Sequence, residues 1–235
     1  MLKKTAVILC GGRGTRLGAL GNKTPKALIK IQNYPIIWFI INELKRNNFN
    51  HFILPIGFKG SQIKRYIKNN KNFNKDNFDM VNTGINSTIS ERIYKIKKYI
   101  KSDYFLILNG DAIFNSDINK IYNSHLKSKA EMSFICCETK ADFGTVGIKN
   151  DKIVDFQRNT NFDSVTAKVK KNYSGYVYSG MSIISKKILN ENFVNKPNFE
   201  KDFYPHIIKK FFCKMSPIDG FWYAMDNMKD IHVMN

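Results

Sequence analysis

The stretch Thr5-Ala6-Val7-Ile8-Leu9-Cys10, running straight into Gly11-Gly12-Arg13-Gly14-Thr15-Arg16-Leu17, decides how the rest of the chain is read. An apolar and β-branched run that stops at glycines is the pattern of a buried strand delivering the chain into a loop. Beyond Pro35, Ile36, Ile37, Ile40, Ile41 and Leu44 repeat at helical spacing and predict a helix over 36–45. Residues 52–56 read as a second strand, and 61–68, with Ile63, Tyr66 and Ile67 on one face, as a second helix. The alternation continues with a strand over 78–81, a helix over 90–100 and a strongly apolar strand over 104–108 that ends at Asn109-Gly110-Asp111. Strands alternating with helices predict an α/β fold, a mostly parallel sheet covered on both faces.

The second half is richer in strands, predicted over 132–137, 144–148, 152–156 and 176–184, with Asn150-Asp151 as a tight turn between two of them. Residues 163–174, polar and rich in lysine, read as the least structured interior segment. Without internal repeats or a linker, the chain is expected to form one domain over 1–235, with a distinct strand-rich portion at about 132–219.

A chain of 235 residues, 43% apolar and 13% aromatic, can bury a substantial core, which excludes a disordered chain. The formal charge of +19 raises the question of a polyanionic partner. The lysines are spread along the whole chain among many asparagines rather than clustered, so neither nucleic acid nor a membrane surface is expected as partner. Lys3 and Lys4 are followed by too short an apolar run for a secretory leader, and no apolar stretch approaches a membrane span, so a cytoplasmic location is expected. Cys10, Cys136, Cys137 and Cys213 lack C-x-x-C spacing and are expected to be reduced core thiols.

A glycine loop after a strand lets backbone N–H groups approach phosphate oxygens, while Arg16 in the loop and Lys26 in Pro25-Lys26 can neutralise a polyphosphate. Two other phosphate loops are excluded. The dinucleotide fingerprint read from Gly12 needs a glycine where Leu17 stands, and the Walker loop needs a Gly-Lys-Ser/Thr spacing that is absent. Asp111 follows the most apolar strand and Asp226 lies in Gly220-Phe221-Trp222-Tyr223-Ala224-Met225-Asp226. A carboxylate at the C-terminal end of a parallel strand sits where α/β folds bind ligands, and two hard oxygen ligands suit Mg²⁺ carrying phosphates. His51, His125, His206 and His232 lack metal-ligand spacing and any paired nucleophile, so a hydrolase triad has little support. Trp38 reads as core on its helix, whereas Trp222, near Asp226, reads equally as core or as part of the site.

The glycine loop and the Pro-Lys pair together resemble the sugar-phosphate nucleotidyltransferase family, whose signature is G-G-x-G-T-R-L followed by P-K. The resemblance implies a Rossmann-like three-layer sandwich with a mainly parallel mixed sheet and a nucleoside triphosphate on the glycine loop. It also implies Arg16 near the departing pyrophosphate, Lys26 near the reaction centre, and Asp111 and Asp226 on the metal. Further landmarks resemble the glucose-1-phosphate cytidylyltransferases: Gly57-Phe58-Lys59-Gly60, Asn82-Thr83-Gly84-Ile85-Asn86 before Arg92, Phe143-Gly144, Asp155-Phe156-Gln157 and Gly220-Phe221-Trp222. CTP is therefore favoured, with Leu9, Gly11, Gly12, Gly14, Thr15 and Gly110 around the nucleotide. Thr83, Asn86, Ser87, Thr88 and Arg92 can supply the donors and acceptors of a pyrimidine pocket.

Two departures fall on the acceptor side, expected around Gly144, Arg158, Asn159, Ser179 and Gly180. Where the family commonly carries Glu-Lys-Pro, this chain has Arg158-Asn159-Thr160, so the cation that grips a sugar phosphate is lost at 159. Farther on, the family's Gly-Gly becomes Ser179-Gly180. Either Arg158, Lys168 or Lys170 supplies the missing charge to a sugar 1-phosphate, or the acceptor is another phosphorylated metabolite. Some relatives in capsule assembly use phosphoglutamine, and that reading stands slightly ahead here. A third departure, Ser90-Glu91 in place of Gly-Gly before Arg92, loosens the inference on base choice. A polyanion-binding protein and a catalytically idle nucleotide-binding subunit remain as minor alternatives, and the oligomeric state stays open.

Overall fold

The computed structural model describes residues 4–137, 139–140, 145–149, 152–157, 161–162, 165–168, 172–191 and 198–235; at Arg16 and through the strands between 139 and 175 the backbone alone is described. Seven strands form one sheet in the order Cys213–Pro217, Met132–Cys137, Val177–Ser185, Tyr104–Asn109, Thr5–Leu9, His51–Ile56, Asn77–Asn82. All its neighbour pairings are parallel except those of Val177–Ser185, which runs antiparallel to both its neighbours. The sheet is thus mixed and mainly parallel.

The strand Thr5–Leu9 is buried on both faces because side chains alternate across it. Ala6 and Ile8 join one core, with Phe52, Leu54, Leu106 and Leu108. Val7 points the other way and joins Ile53, Phe105 and Ile107 in a second core. The first core is closed by the helices Ile36–Arg46, Gly60–Asn69 and Ile118–Lys127, the second by Ile89–Ile96 and Tyr204–Lys210. The result is a three-layer α/β/α sandwich.

Helix Ile36–Arg46 starts directly after Pro35 and buries Ile36, Ile37, Ile40, Ile41 and Leu44, as its spacing predicts. The predicted helix over 90–100 is α-helical only from Ile89 to Ile96 and then tightens into a 3₁₀ turn, Lys97–Tyr99. The described residues within 163–174 correct the sequence reading: Val165–Lys168 pairs antiparallel with Asn172–Gly175. Backbone pairing is indifferent to the lysines, and Val165, Thr166 and Tyr173 favour extended chain. The strands Thr145–Lys149 and Lys152–Gln157 pair as expected, while the predicted turn at 150–151 lies outside the described residues. Trp38 is another correction: it is half-buried at the edge of the core and stacks on Tyr34 with ring centres 4.3 Å apart. The four cysteines are free, and Cys10, Cys136 and Cys137 are buried. Among the described residues no helix is long and apolar enough to cross a membrane.

Strand order reverses around Thr5–Leu9: the chain first adds His51–Ile56 on one side and later Tyr104–Asn109 on the other. The crevice beyond the C-terminal ends of these strands is where open α/β sheets bind ligands. One loop beside it is held by a helix cap. Thr88 Oγ1 accepts from the Glu91 N–H at 3.2 Å while the Glu91 carboxylate accepts from the Thr88 N–H at 2.7 Å, a reciprocal capping box. That hydrogen bond holds the Glu91 carboxyl below its usual pKa. Glu91, one of the two residues that depart from the family pattern, therefore has a local physical reason. Replacing Thr88 with Ala is expected to lower stability by about 1 kcal/mol in urea unfolding, the usual loss of a helix cap.

Candidate active site

A cavity of about 250 Å³ opens at the switch point. It is lined by Leu9 and Gly110 at the ends of the two central strands, by the glycine loop at Gly12, Gly14 and Thr15, and by Lys26, Asp111 and Asp226. Gly14 takes a left-handed φ of 62°, which suits glycine, and Thr15–Leu17 form a single 3₁₀ turn. Arg16 lies in that turn, its side chain outside what is described.

Lys26 begins a second 3₁₀ turn, Lys26–Leu28, fixed by the Leu28 N–H donating to the Pro25 carbonyl at 2.8 Å and by buried Ala27. Its ammonium donates to Asp111 Oδ2 at 2.7 Å and to Asp226 Oδ1 at 3.2 Å. The lysine side chain is 16% exposed and the two aspartates 29% and 49%, so the cluster faces the cavity rather than bulk solvent alone.

The aspartates meet because Gly220–Ala224 pairs antiparallel with Ala112–Ser116, Ala224 opposite Ala112. The ladder runs on through the Met225 N–H, which donates to the Asp111 carbonyl at 2.8 Å. Asp226 is then aimed by a residue the sequence reading did not single out. The Asp230 carboxylate accepts from the backbone N–H of Asp226 at 2.7 Å and of Asn227 at 2.8 Å. It caps the helix Met228–Met234 in a second capping box. The available signal was the spacing Asn227-x-x-Asp230.

The residues expected around the base are arranged differently. Arg92 is buried, and its guanidinium donates to the carbonyls of Gly11 at 3.1 Å, Gly84 at 3.0 Å and Ile85 at 3.3 Å and to Thr83 Oγ1 at 2.6 Å. Burial lowers its pKa. A Cβ on Gly11 would press into this guanidinium and lie 2.8 Å from the Pro55 carbonyl oxygen, so glycine there is a packing requirement. Thr83 is buried and donates to the Ile56 carbonyl at 2.9 Å; Ser87 donates to the Thr83 carbonyl, and Thr88 caps its helix. Thr83, Thr88 and Arg92, expected to contact nucleotide, thus have these polar atoms engaged in bolting the 83–88 loop to the glycine loop. Asn86 stands exposed on the rim, its amide oxygen accepting from Arg13 at 3.0 Å.

On the far side, Ser179 and Gly180 lie in a register shift between Tyr178 and Met181. Ser179 is buried and donates to the Ile135 carbonyl at 2.7 Å, while a Cβ on Gly180 would come 2.6 Å from Asn109 Nδ2. Gly180 therefore abuts the end of the strand Tyr104–Asn109, two residues before Asp111. Gly144, Arg158, Asn159 and Lys170 lie outside the described residues, and Lys168 is described by its backbone alone.

Two carboxylates converging on one ammonium at an open cavity form a hard-oxygen set of the kind that accepts a divalent cation, although no cluster of three or more such ligands occurs among the described residues. Cys10 lines the cavity, but burial pushes its thiol up to about 12, so it stays protonated and is no nucleophile. His51 pairs with Asp79 at 2.9 Å, and the remaining histidines likewise bond to other groups away from the cavity. Trp222 packs against the first core.

A glycine loop at the switch point, with one lysine and two aspartates beside it, is the arrangement of an enzyme of nucleotide phosphates. The chain belongs to the nucleotidyl transferase family, whose sequence model matches residues 5–217. It is 26% identical to the probable glucose-1-phosphate cytidylyltransferase of Bacillus subtilis over 98% of this chain and 94% of that protein. It is 28% identical to the D-glycero-alpha-D-manno-heptose 1-phosphate guanylyltransferase of Campylobacter jejuni over 92% of each. In fold it is similar to HddC from Yersinia pseudotuberculosis, with a TM-score of 0.74, 22% identity and coverage of 98% and 97%.

Replacing Arg92 with Ala removes the donor of four hydrogen bonds, two of them buried, and is expected to cost about 2–4 kcal/mol in denaturant unfolding. Arg92→Lys, which keeps the charge but not the fork, is expected to recover less than half of that loss.

Proposed function

We propose that the chain transfers CMP from CTP to a sugar 1-phosphate, releasing pyrophosphate. The observation that carries the reaction is the contact of Lys26 with Asp111 and Asp226 in the lining of the glycine-loop cavity. The choice of CTP is supported by the run of cytidylyltransferase landmarks from Gly57 to Asp226 and by the near full-length similarity to the Bacillus subtilis protein.

An oxygen of the acceptor phosphate attacks the α-phosphorus of CTP in line. A new P–O bond forms as the bond to the β-phosphate oxygen breaks, and pyrophosphate leaves with that electron pair. No covalent enzyme intermediate is required, so the protein contributes positioning and charge. Backbone N–H groups of the glycine loop orient the phosphates, and Lys26 stabilises negative charge gathering at the α-phosphate. Arg16, two residues after Gly14, is assigned to the departing pyrophosphate. Asp111 and Asp226 would hold Mg²⁺, which when bound neutralises phosphate oxygens. Asp230 keeps Asp226 turned toward the cavity through its bond to the Asp226 N–H.

A phosphorylated amino acid such as phosphoglutamine is the second reading. It rests on Arg158-Asn159-Thr160 alone, and the relatives described above are named for sugar 1-phosphates. A pyrophosphate-release assay crossing CTP, UTP, dTTP and GTP with sugar 1-phosphates and phosphorylated amino acids tests both halves. The expected productive pair is CTP with a sugar 1-phosphate; activity confined to phosphorylated amino acids would move the assignment to the second reading. Asp111→Asn is expected to lower kcat about a hundredfold or more with the melting temperature preserved. Asn159→Lys is expected to lower the KM for sugar 1-phosphates, and an unchanged KM would separate this position from the acceptor.

A further inference from the structure

We propose that Lys26 and a divalent cation compete for Asp111 and Asp226, so that cation binding releases the lysine to meet phosphate. This rests on the nucleotidyl-transfer reading and deepens it by ordering the events at that same site.

The two tasks of the carboxylates exclude each other in space. The Lys26 ammonium takes one oxygen from each, Asp111 Oδ2 at 2.7 Å and Asp226 Oδ1 at 3.2 Å. A cation such as Mg²⁺ holds carboxylate oxygens at about 2.1 Å, and bridging the same pair it brings its charge into the gap that Nζ fills. Two charges of one sign so close together repel strongly. One of them has to leave.

The backbone that carries the carboxylates stays in place when that happens. The Met225 N–H donates to the Asp111 carbonyl at 2.8 Å, and the Asp226 N–H donates to the Asp230 carboxylate at 2.7 Å. Neither bond involves Lys26.

Lys26 itself is anchored at its base and loose at its tip. Its turn is closed by the Leu28 N–H on the Pro25 carbonyl at 2.8 Å and by the Ile29 N–H on the Lys26 carbonyl at 3.1 Å. The start of its side chain packs on the glycine loop: a Cβ added to Gly14 would lie 3.3 Å from Lys26 Cβ and 3.9 Å from its Cγ. Rotation about the outer bonds of the flexible stem therefore moves the ammonium from the carboxylates along the cavity without shifting the main chain. Both carboxylates are more exposed than the lysine, so a cation arriving from solvent reaches them first. A phosphate on the glycine loop then replaces the countercharge that the lysine gives up. By linkage the exchange works in both directions, and phosphate that draws the lysine away tightens the hold on the cation.

Mn²⁺ is the probe, its free fraction read by electron paramagnetic resonance with no nucleotide added. Lys26→Met keeps the stem and removes the ammonium, and is expected to bind Mn²⁺ about tenfold more tightly than the parent. Adding Asp111→Asn is expected to abolish that gain. An affinity in Lys26→Met equal to or below the parent's overturns the proposal, as does a gain that survives Asp111→Asn. Should Lys26→Met fail to fold, the parent answers alone: acetylation of Lys26, followed by mass spectrometry, is expected to run several-fold faster with Mn²⁺ than without, and an unchanged or slower rate overturns the proposal. If neither protein binds Mn²⁺ the proposal falls by itself, because pyrophosphate release from CTP decides the nucleotidyl-transfer reading separately.

Discussion

One ammonium group between two carboxylates organises this molecule. Lys26 draws together Asp111 and Asp226, which repel each other without a cation between them. Strand order, loop geometry and helix capping all converge on holding that triad at the edge of the sheet. The reversal of strand order around Thr5–Leu9 opens the crevice, and the ladder between Ala112–Ser116 and Gly220–Ala224 sets the separation of the aspartates. Asp230 then fixes the direction of the second one.

Two layers of support surround the triad, and they differ in kind. Beneath the cavity the support is buried and rigid, with Arg92 using its planar fork on carbonyls from separate loops. At the rim it is exposed and polar, in Arg13 and Asn86. Buried bonds resist change because losing one strands an acceptor, whereas rim bonds exchange readily with water or ligand. Such a site can keep its reaction geometry fixed while its substrate contacts vary.

Much of this was legible in the sequence. The alternating strands and helices gave the α/β sandwich, because side-chain alternation along Thr5–Leu9 and the spacing of Ile36, Ile37, Ile40, Ile41 and Leu44 are local consequences of burial. The glycine loop, Lys26 and the two aspartates were legible as well, since each follows a strand or a turn that the pattern announces. The pairing of Val165–Lys168 with Asn172–Gly175 was not, because backbone pairing leaves no mark in a lysine-rich composition. The structural work of Thr83 and Arg92 was also hidden. A residue type capable of contacting a nucleotide is equally capable of satisfying loop carbonyls, and only burial tells the two apart. Asp230 announces itself only as the fourth residue of the capping-box spacing Asn227-x-x-Asp230, a pattern that marks a helix start and not a site.

The ladder that supplies Asp226 has a consequence in time. Lys26 and Asp226 are separated by 200 positions, and Lys26 and Asp111 by 85. During synthesis the glycine loop and the central strands can associate long before Gly220–Ala224 has been made. A nascent chain can therefore gather the glycine-loop crevice early yet lack the second carboxylate. The cluster of one ammonium and two carboxylates is thus completed late, by the closing of a contact between distant parts of the chain.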